Sequence, residues 1–327
     1  NEPRPVTPIL FSTVENLRAD LADEYPEAII RPEGFEDDIL AKVLTRMVQQ
    51  TLESTDYANE YDQLTHDLLV GGWCAQEIGY DPEQHGGKGG TYIRHVPNKN
   101  IMVDPLSADI QDGRAVFKVS RQPKSWMWQH YPDIAEKEGL AEPALDDNHF
   151  DNGPVQDKRT EKNFVVLIEA WIRMYNPATN KHSVHMVQMA GGQILVNTAL
   201  EKPEGYFNHG EYPFVITPLY KIKGSPLGLG PIDMFKPAQL YSDKVDQIIL
   251  KNAVTAGRNK LIVQKGSVQD LDALMDYSKE VAEVETIGGI QWFQDRPLPS
   301  YMLTYLSGIR NSIKEESGSN DFSRGNV

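Results

Sequence analysis

Gly86-Gly87-Lys88-Gly89-Gly90-Thr91 has the composition of a phosphate-cradling loop. Such a loop needs a hydroxyl directly after its lysine to reach a nucleotide-bound magnesium ion, and Gly89 stands there, so a glycine turn is expected. Gly228-Leu229-Gly230 starts like a dinucleotide fingerprint, but Asp233 occupies the third glycine position and no strand-helix-strand frame surrounds it. His182 and His185 are three apart, which suits a metal on a helix face; on the strand expected there they point to opposite sides. Asp109 and Asp112-Gly113, like Asp146-Asp147 with Asp151-Asn152-Gly153, lack the alternating oxygen ligands of a calcium loop and read as solvated turns. Cys74, the single cysteine, reads as a thiol buried in a strand of a protein kept in a reducing compartment. There is no nucleophile elbow and no HExxH, and the 47 acidic residues offer no carboxylate pair of defined separation. The expectation is no catalytic site, no metal and no cofactor.

The charge balance narrows the partners. The 327 residues carry a formal net charge of −15, and the densest basic group, Lys158-Arg159-Lys162, is interrupted by Glu161. A protein that grips nucleic acid neutralises phosphates with clustered bases, so tight DNA binding is disfavoured. DNA passing an acidic wall is not, because passage requires only the absence of sticking. Hydrophobic residues at 40% support two or three folded modules, and no apolar run has membrane-spanning length, so a soluble protein without membrane contact is expected. The chain opens at Asn1 with no initiator methionine and no signal peptide, and closes just after Ser317-Gly318-Ser319-Asn320. It is expected to be part of a longer protein.

The elements that must position these residues follow from periodicity. Leu10, Val14, Leu17 and Leu21 share a helical face within 8–25. A second helical region after Asp37-Asp38 shows a stripe of Leu40, Leu44, Met47 and Val48, then Tyr57, Tyr61, Leu64 and Leu68, with a junction and a fresh cap near Ser54-Thr55-Asp56. From Trp73 the period changes to two: strands are expected at 73–80, 91–96, 101–103 and 115–119, as a sheet packed on the two helices. Pro123 opens a short aromatic helix that Pro132 interrupts. Residues 142–162 read as an acidic loop, and 164–175, 183–190, 193–198 and 214–220 as a β-rich block with hairpin turns at Asn176-Pro177 and Gly191-Gly192. Gly224-Ser225-Pro226-Leu227-Gly228-Leu229-Gly230-Pro231 then leads into a long helix ending near Gly257. Its apolar stripe comprises Met234, Tyr241, Val245, Ile248, Ile249 and Val254. A strand at 260–264, a short helix capped by Ser267, an acidic stretch from Glu280 to Gly289 and a last helix after Pro299 complete the chain.

The order of these elements resembles the portal proteins of tailed bacteriophages. The likeness rests on Leu68-Leu69-Val70-Gly71-Gly72-Trp73-Cys74, on Val96-Pro97-Asn98-Lys99-Asn100-Ile101-Met102-Val103-Asp104-Pro105, on Gly224-Ser225-Pro226-Leu227-Gly228 before the long helix, and on Glu315-Glu316-Ser317-Gly318-Ser319-Asn320-Asp321 with Gly325. It spans nearly the whole chain, and the shared order carries it more than any one stretch. The resemblance implies an α+β, portal-like fold. A wing would be formed by 1–122 with 259–327, a first stem element by 123–142, a β-rich clip with adjoining wing by 143–222, and a second stem helix by 223–258, the crown being absent. Pro231, Tyr241, Val245, Ile248 and Lys251 become stem-helix candidates, and Glu280, Glu283, Glu285, Gly288 and Gly289 tunnel-loop candidates beside the channel. Implied with it are a homo-oligomeric ring, twelve subunits in the family, at a unique capsid vertex in the virion, assembled in the host cytoplasm. Its implied partners are terminase, capsid, scaffold and tail or adaptor proteins, with double-stranded DNA passing through untethered. Two other readings stand beside it: an acidic multidomain hydrolase, and a β-rich virion decoration or adhesin protein.

Overall fold

The computed structural model describes residues 6–23, 27–135, 164–176, 180–256, 260–266, 290–293 and 299–318. It is a mixed α and β structure in two compact units, one of residues 14–234 and the other of residues 1–13 with 235–327.

The larger unit holds most of helix α1 (Ile9–Asp23), α2 (Asp38–Ser54) and α3 (Tyr57–Gly71). The junction expected near residue 55 is present, but Asp56 does not cap through its side chain. It adopts φ 51°, and the turn is held by the Thr55 N–H on the Thr51 carbonyl and the Asp56 N–H on the Glu53 carbonyl. A left-handed aspartate turns the chain sharply enough to re-aim the next helix. α3 buries Leu64, Thr65 and Leu69 on the first sheet, and Arg18 of α1 grips Asp62 with Nε to Oδ1 at 3.0 Å and Nη2 to Oδ2 at 2.5 Å. α2 behaves differently from expectation: its stripe of Leu40, Leu44, Met47 and Val48 is exposed, while Ala41 is the residue it buries.

The first sheet has order β2-β1-β8, from β1 (Trp73–Asp81), β2 (Gly90–Val96) and β8 (Phe214–Pro218), all antiparallel. The one-turn α4 (Gln84–Gly87) joins β1 to β2, which gives the Gly86–Thr91 stretch its turn. The second sheet runs β3-β4-β5-β6-β7, a meander of β3 (Ile101–Val103), β4 (Ala115–Pro123), β5 (Phe164–Asn176), β6 (Lys181–Ala190) and β7 (Gln193–Asn197). β4 pairs with β5 from Ala115↔Ile172 to Pro123↔Phe164, so one sheet runs across the 122/143 boundary expected from sequence. The clip-and-wing block is therefore continuous with β3 and β4 through β5, and with β1 through β8.

Between the sheets lie Ala75, Val96, Ile101, Val116, Trp171, Val184 and Phe214. The Trp171 ring stacks on Phe207 at 6.1 Å and meets Tyr206 and Phe214 edge-on, the geometry that aromatic quadrupoles favour. α5 (Lys124–His130) and α6 (Pro132–Ala135) follow β4, and Met127 of α5 packs on Val165, Leu167 and Ala190. The described part of the expected first stem element is thus two short helices, with α5 seated on the sheet through Met127. α7 (Thr198–Glu201) is capped by the Asn197 side chain, and the two-residue strands β9 (Tyr220–Lys221) and β10 (Gly228–Leu229) pair ahead of the long helix.

That helix, α8 (Pro231–Ala256), passes into the smaller unit, which also contains β11 (Lys260–Val263), β12 (Ile290–Phe293) and α9 (Tyr301–Glu316). The Pro231 start agrees with expectation; Gly257 lies outside the described residues. The packed face is not the expected stripe. Phe235 and Ala238 pack with Ile9, Ile309 and Ile313, and Ser242 is fully buried. Further along, Arg310 bonds Asp246 and donates to Thr7 Oγ1 at 3.1 Å, while Gln239 donates to the Thr7 carbonyl at 2.6 Å. Tyr241, Ile248 and Val254 of that stripe are exposed. An apolar periodicity marks a surface that seeks a partner and does not say whether that partner is in the same unit. Pro237 lies inside α8 and has no amide hydrogen to offer the Asp233 carbonyl one turn back.

Candidate functional site

Three of the stretches singled out in sequence meet at one point. α3 ends at Gly72, whose φ of 78° is the left-handed stop that glycine adopts without strain. A Cβ on Gly72 would overlap the Gly230 amide nitrogen and the Leu229 carbonyl carbon. One on Gly228 would lie 2.6 Å from the Gly72 oxygen, and one on Gly230 would lie 2.9 Å from the Gly72 nitrogen. Two backbones therefore cross with no side chain between them. The fingerprint-like glycines serve this approach and cradle no pyrophosphate.

The crossing is tied down by hydrogen bonds. The Leu219 N–H donates to the Gly72 carbonyl at 2.9 Å, and Asn98 Nδ2 donates to the Trp73 carbonyl at 2.6 Å. Asn98 N–H donates to Asp67 Oδ2 at 3.1 Å, and that oxygen lies 2.8 Å from His95 Nε2. Burial opposes ionisation of Asp67, but the hydrogen bond and charge of His95, with the Asn98 amide, outweigh it and hold the carboxyl below its usual range. At the start of α8 Asp233 Oδ2 accepts from the Gly230 N–H at 3.2 Å, placing a carboxylate at the positive helix end. The site is mechanical: it fixes where α8 begins relative to α3 and β1.

The Asp-Pro turn is built in the same manner. Asp104 accepts from Leu106 N at 3.1 Å, Arg114 N at 3.2 Å and Arg114 Nε at 2.8 Å. The Arg114 hydrogen bond, then the two amides, hold its carboxyl at about 2. Because the folded value lies below the ordinary ~3.9, this stabilisation is complete above that pH and is lost as pH falls through about 2. Asp104→Asn is expected to flatten the loss of melting temperature between pH 4 and pH 2. Parallel acid limbs for wild type and variant would refute the assignment.

A 380 Å³ cavity lies between the sheets, lined in part by Glu77, Tyr92, Lys118, Glu169, Trp171 and Tyr206. Lys118 Nζ sits 2.7 Å from Glu77 Oε2 and 3.3 Å from Glu169 Oε2, and Tyr92 donates to Glu77 Oε1 at 3.2 Å. These groups satisfy one another. Burial disfavours the Lys118 cation, but Glu169 and Glu77 overcompensate and raise its pKa. The Tyr92 hydroxyl is pushed up by burial and by the charge of Glu77.

Elsewhere, Cys74 is buried in β1, and burial with the Asp67 charge pushes its thiol up to about 12, a value that suppresses the reactive thiolate. His185 is buried and hydrogen-bonded to Ser183 at 2.8 Å, while His182 is exposed against Tyr175, so the two do not converge. Among the described residues no group of His, Cys, Asp and Glu could hold a metal, and no helix is long and apolar enough to cross a membrane. Of the stem candidates, Pro231 is buried at the crossing, Tyr241 and Ile248 are exposed, Val245 is half-buried, and Lys251 lies on the exposed side. Glu280, Glu283, Glu285, Gly288 and Gly289 lie outside the described residues. Sequence reasoning quoted Asn98 without giving it a role, and it missed Lys118. A lysine in an apolar alternating strand, opposite Glu169 in the register, was the available signal.

What emerges is an α+β protein with a rigid backbone crossing at the base of a long helix and exposed apolar helix faces. Over residues 1–327 the chain matches the family model described as Phage P22-like portal protein, and it belongs to that family. It is thus a portal-type component of the tailed-phage virion, with a role in genome packaging. A comparison with curated proteins finds no match.

Proposed function

We propose that the chain forms a closed ring at one capsid vertex, the conduit through which DNA is packaged and ejected and the platform on which terminase and tail or adaptor proteins dock. The family match over residues 1–327 carries this reading, in preference to a hydrolase or a decoration protein. The exposed face of α8 agrees with it. Met234, Tyr241 and Ile248 recur every seven residues with Val245 between them, the spacing of a helix that packs lengthwise on another. In this proposal α8 is the stem helix, and its seam meets helices of neighbouring subunits. Residues 1–122 and 259–327 contribute the wing. Because β5, β6 and β7 share a sheet with β3 and β4, they go with the wing, and the clip is smaller than 143–222.

The acidic stretch Glu280, Glu283 and Glu285, followed by Gly288-Gly289, is assigned to the collar beside the DNA. Each phosphate contact by a base displaces counterions and would brake sliding, so acids suit that position. Negative-stain images of the full-length protein are expected to contain rings with a central hole; monomers under every assembly condition would overturn the reading. Within assembled rings, replacing the three glutamates with lysine should add salt-sensitive retention on a DNA column. Equal retention of wild type and variant would remove these residues from the channel.

A further inference from the structure

Helix α2 carries an apolar face that its own unit leaves uncovered. At ~100° per residue, Ile39, Leu40, Val43, Leu44, Met47 and Val48 occupy about half of its circumference. All six are exposed, Ile39 at 78% and Met47 at 57%. No charged residue lies in that arc: Lys42 and Arg46 fall outside it. The opposite side is fixed. Ala41 is buried, and the Thr45 hydroxyl accepts from the Ile30 N–H at 3.0 Å while donating to the Ala41 carbonyl at 2.8 Å. Rolling the helix to hide its apolar face would break the bond from Ile30 and expose Ala41, so the face remains outward in the isolated subunit.

We infer that this face is half of the contact between adjacent copies of the chain, an inference that rests on the ring reading above. Charge favours a second copy as the occupant. Copies that each carry −15 repel over most of their surfaces, whereas α2 has two acids, Asp38 and Glu53, balanced by Lys42 and Arg46. An uncharged apolar arc also suits a permanent contact, because obligate interfaces resemble a divided core and contacts that are made and broken are more polar. In a cyclic ring each interface joins two different surfaces, so the α2 face of one subunit meets a non-α2 surface of the next.

The test uses the full-length protein. Leu40→Gln with Met47→Gln should reduce the yield of rings, measured by native mass spectrometry at equal concentration, at least tenfold. Circular dichroism melting of the subunit should stay unchanged, since both side chains are already exposed. Independently, a photoreactive phenylalanine at Val43 in the otherwise unaltered chain should cross-link to a peptide of the same chain outside α2, and only in the ring fraction. Wild-type rings with undiminished assembly of the variant would overturn the inference and leave the ring reading standing, as would a cross-link only to a different protein. A wild type that never forms rings would overturn both.

Discussion

Gly72→Ala is expected to lower the unfolding free energy by about 4 kcal/mol, measured by urea denaturation. Two costs combine. A non-glycine residue at φ 78° loses ~1–2 kcal/mol to its own backbone, and forced overlap in a packed site adds ~1–3 kcal/mol. The second cost is the larger here, since the atoms met belong to the backbone of Leu229 and Gly230, which cannot rotate aside. Gly192→Ala is the control: Gly192 has φ 77°, yet an added Cβ meets nothing within 4 Å. It should therefore cost only the conformational share, about 1 kcal/mol. Equal losses in the two variants would mean that the crossing of residues 72 and 228–230 has no packing role. Gly230→Ala should fall between them, because its contacts are looser, at 2.9–3.0 Å.

Lys118→Ala has the second large effect, a loss of about 3–5 kcal/mol, because it strands two largely buried carboxylates in the space between the sheets. The side chains of Glu77 and Glu169 are only 9% and 14% exposed, and Lys118 is the cation that bridges them. Glu77 comes from β1 in the first sheet, and Lys118 and Glu169 from β4 and β5 in the second, so the cluster is also a tie between the sheets. Replacing all three by neutral groups, Glu77→Gln, Lys118→Met and Glu169→Gln, should recover most of the loss, since the penalty lies in unpaired charge more than in lost attraction. A triple variant as unstable as Lys118→Ala would refute that reason. The folded-state pKa of Lys118 is raised, so the stabilisation is complete below the ordinary lysine value and fades only as pH rises through the folded one.

Much of the fold could be read from local pattern. Ile101–Val103 and the helix junction at residue 55 lie where alternation and periodicity placed them, because each is decided by side chains within a few positions. What could not be read depends on distant partners. Gly72 and Gly230 are 158 positions apart, and nothing near either one announces the other. The packed side of α8 could not be read because half of it is polar: Ser242 and Asp246 are held by Thr7 and Arg310, pairings to which an apolar stripe is blind. β12 was given no element, being four residues long and paired with a strand that ends at Val263. At the site, the motifs were visible individually, while their convergence on one crossing required coordinates.

That same pairing has an evolutionary corollary. Lys260↔Phe293 and Val263↔Ile290 hold the two ends of the intervening chain one strand spacing apart, whatever lies between them. Lengthening a segment whose ends are already joined is thermodynamically cheap, ~0.6 kcal/mol for each doubling. Relatives can therefore gain or shed residues between positions 264 and 289 without disturbing the ribbon, and size in this segment is free to follow selection on what it meets.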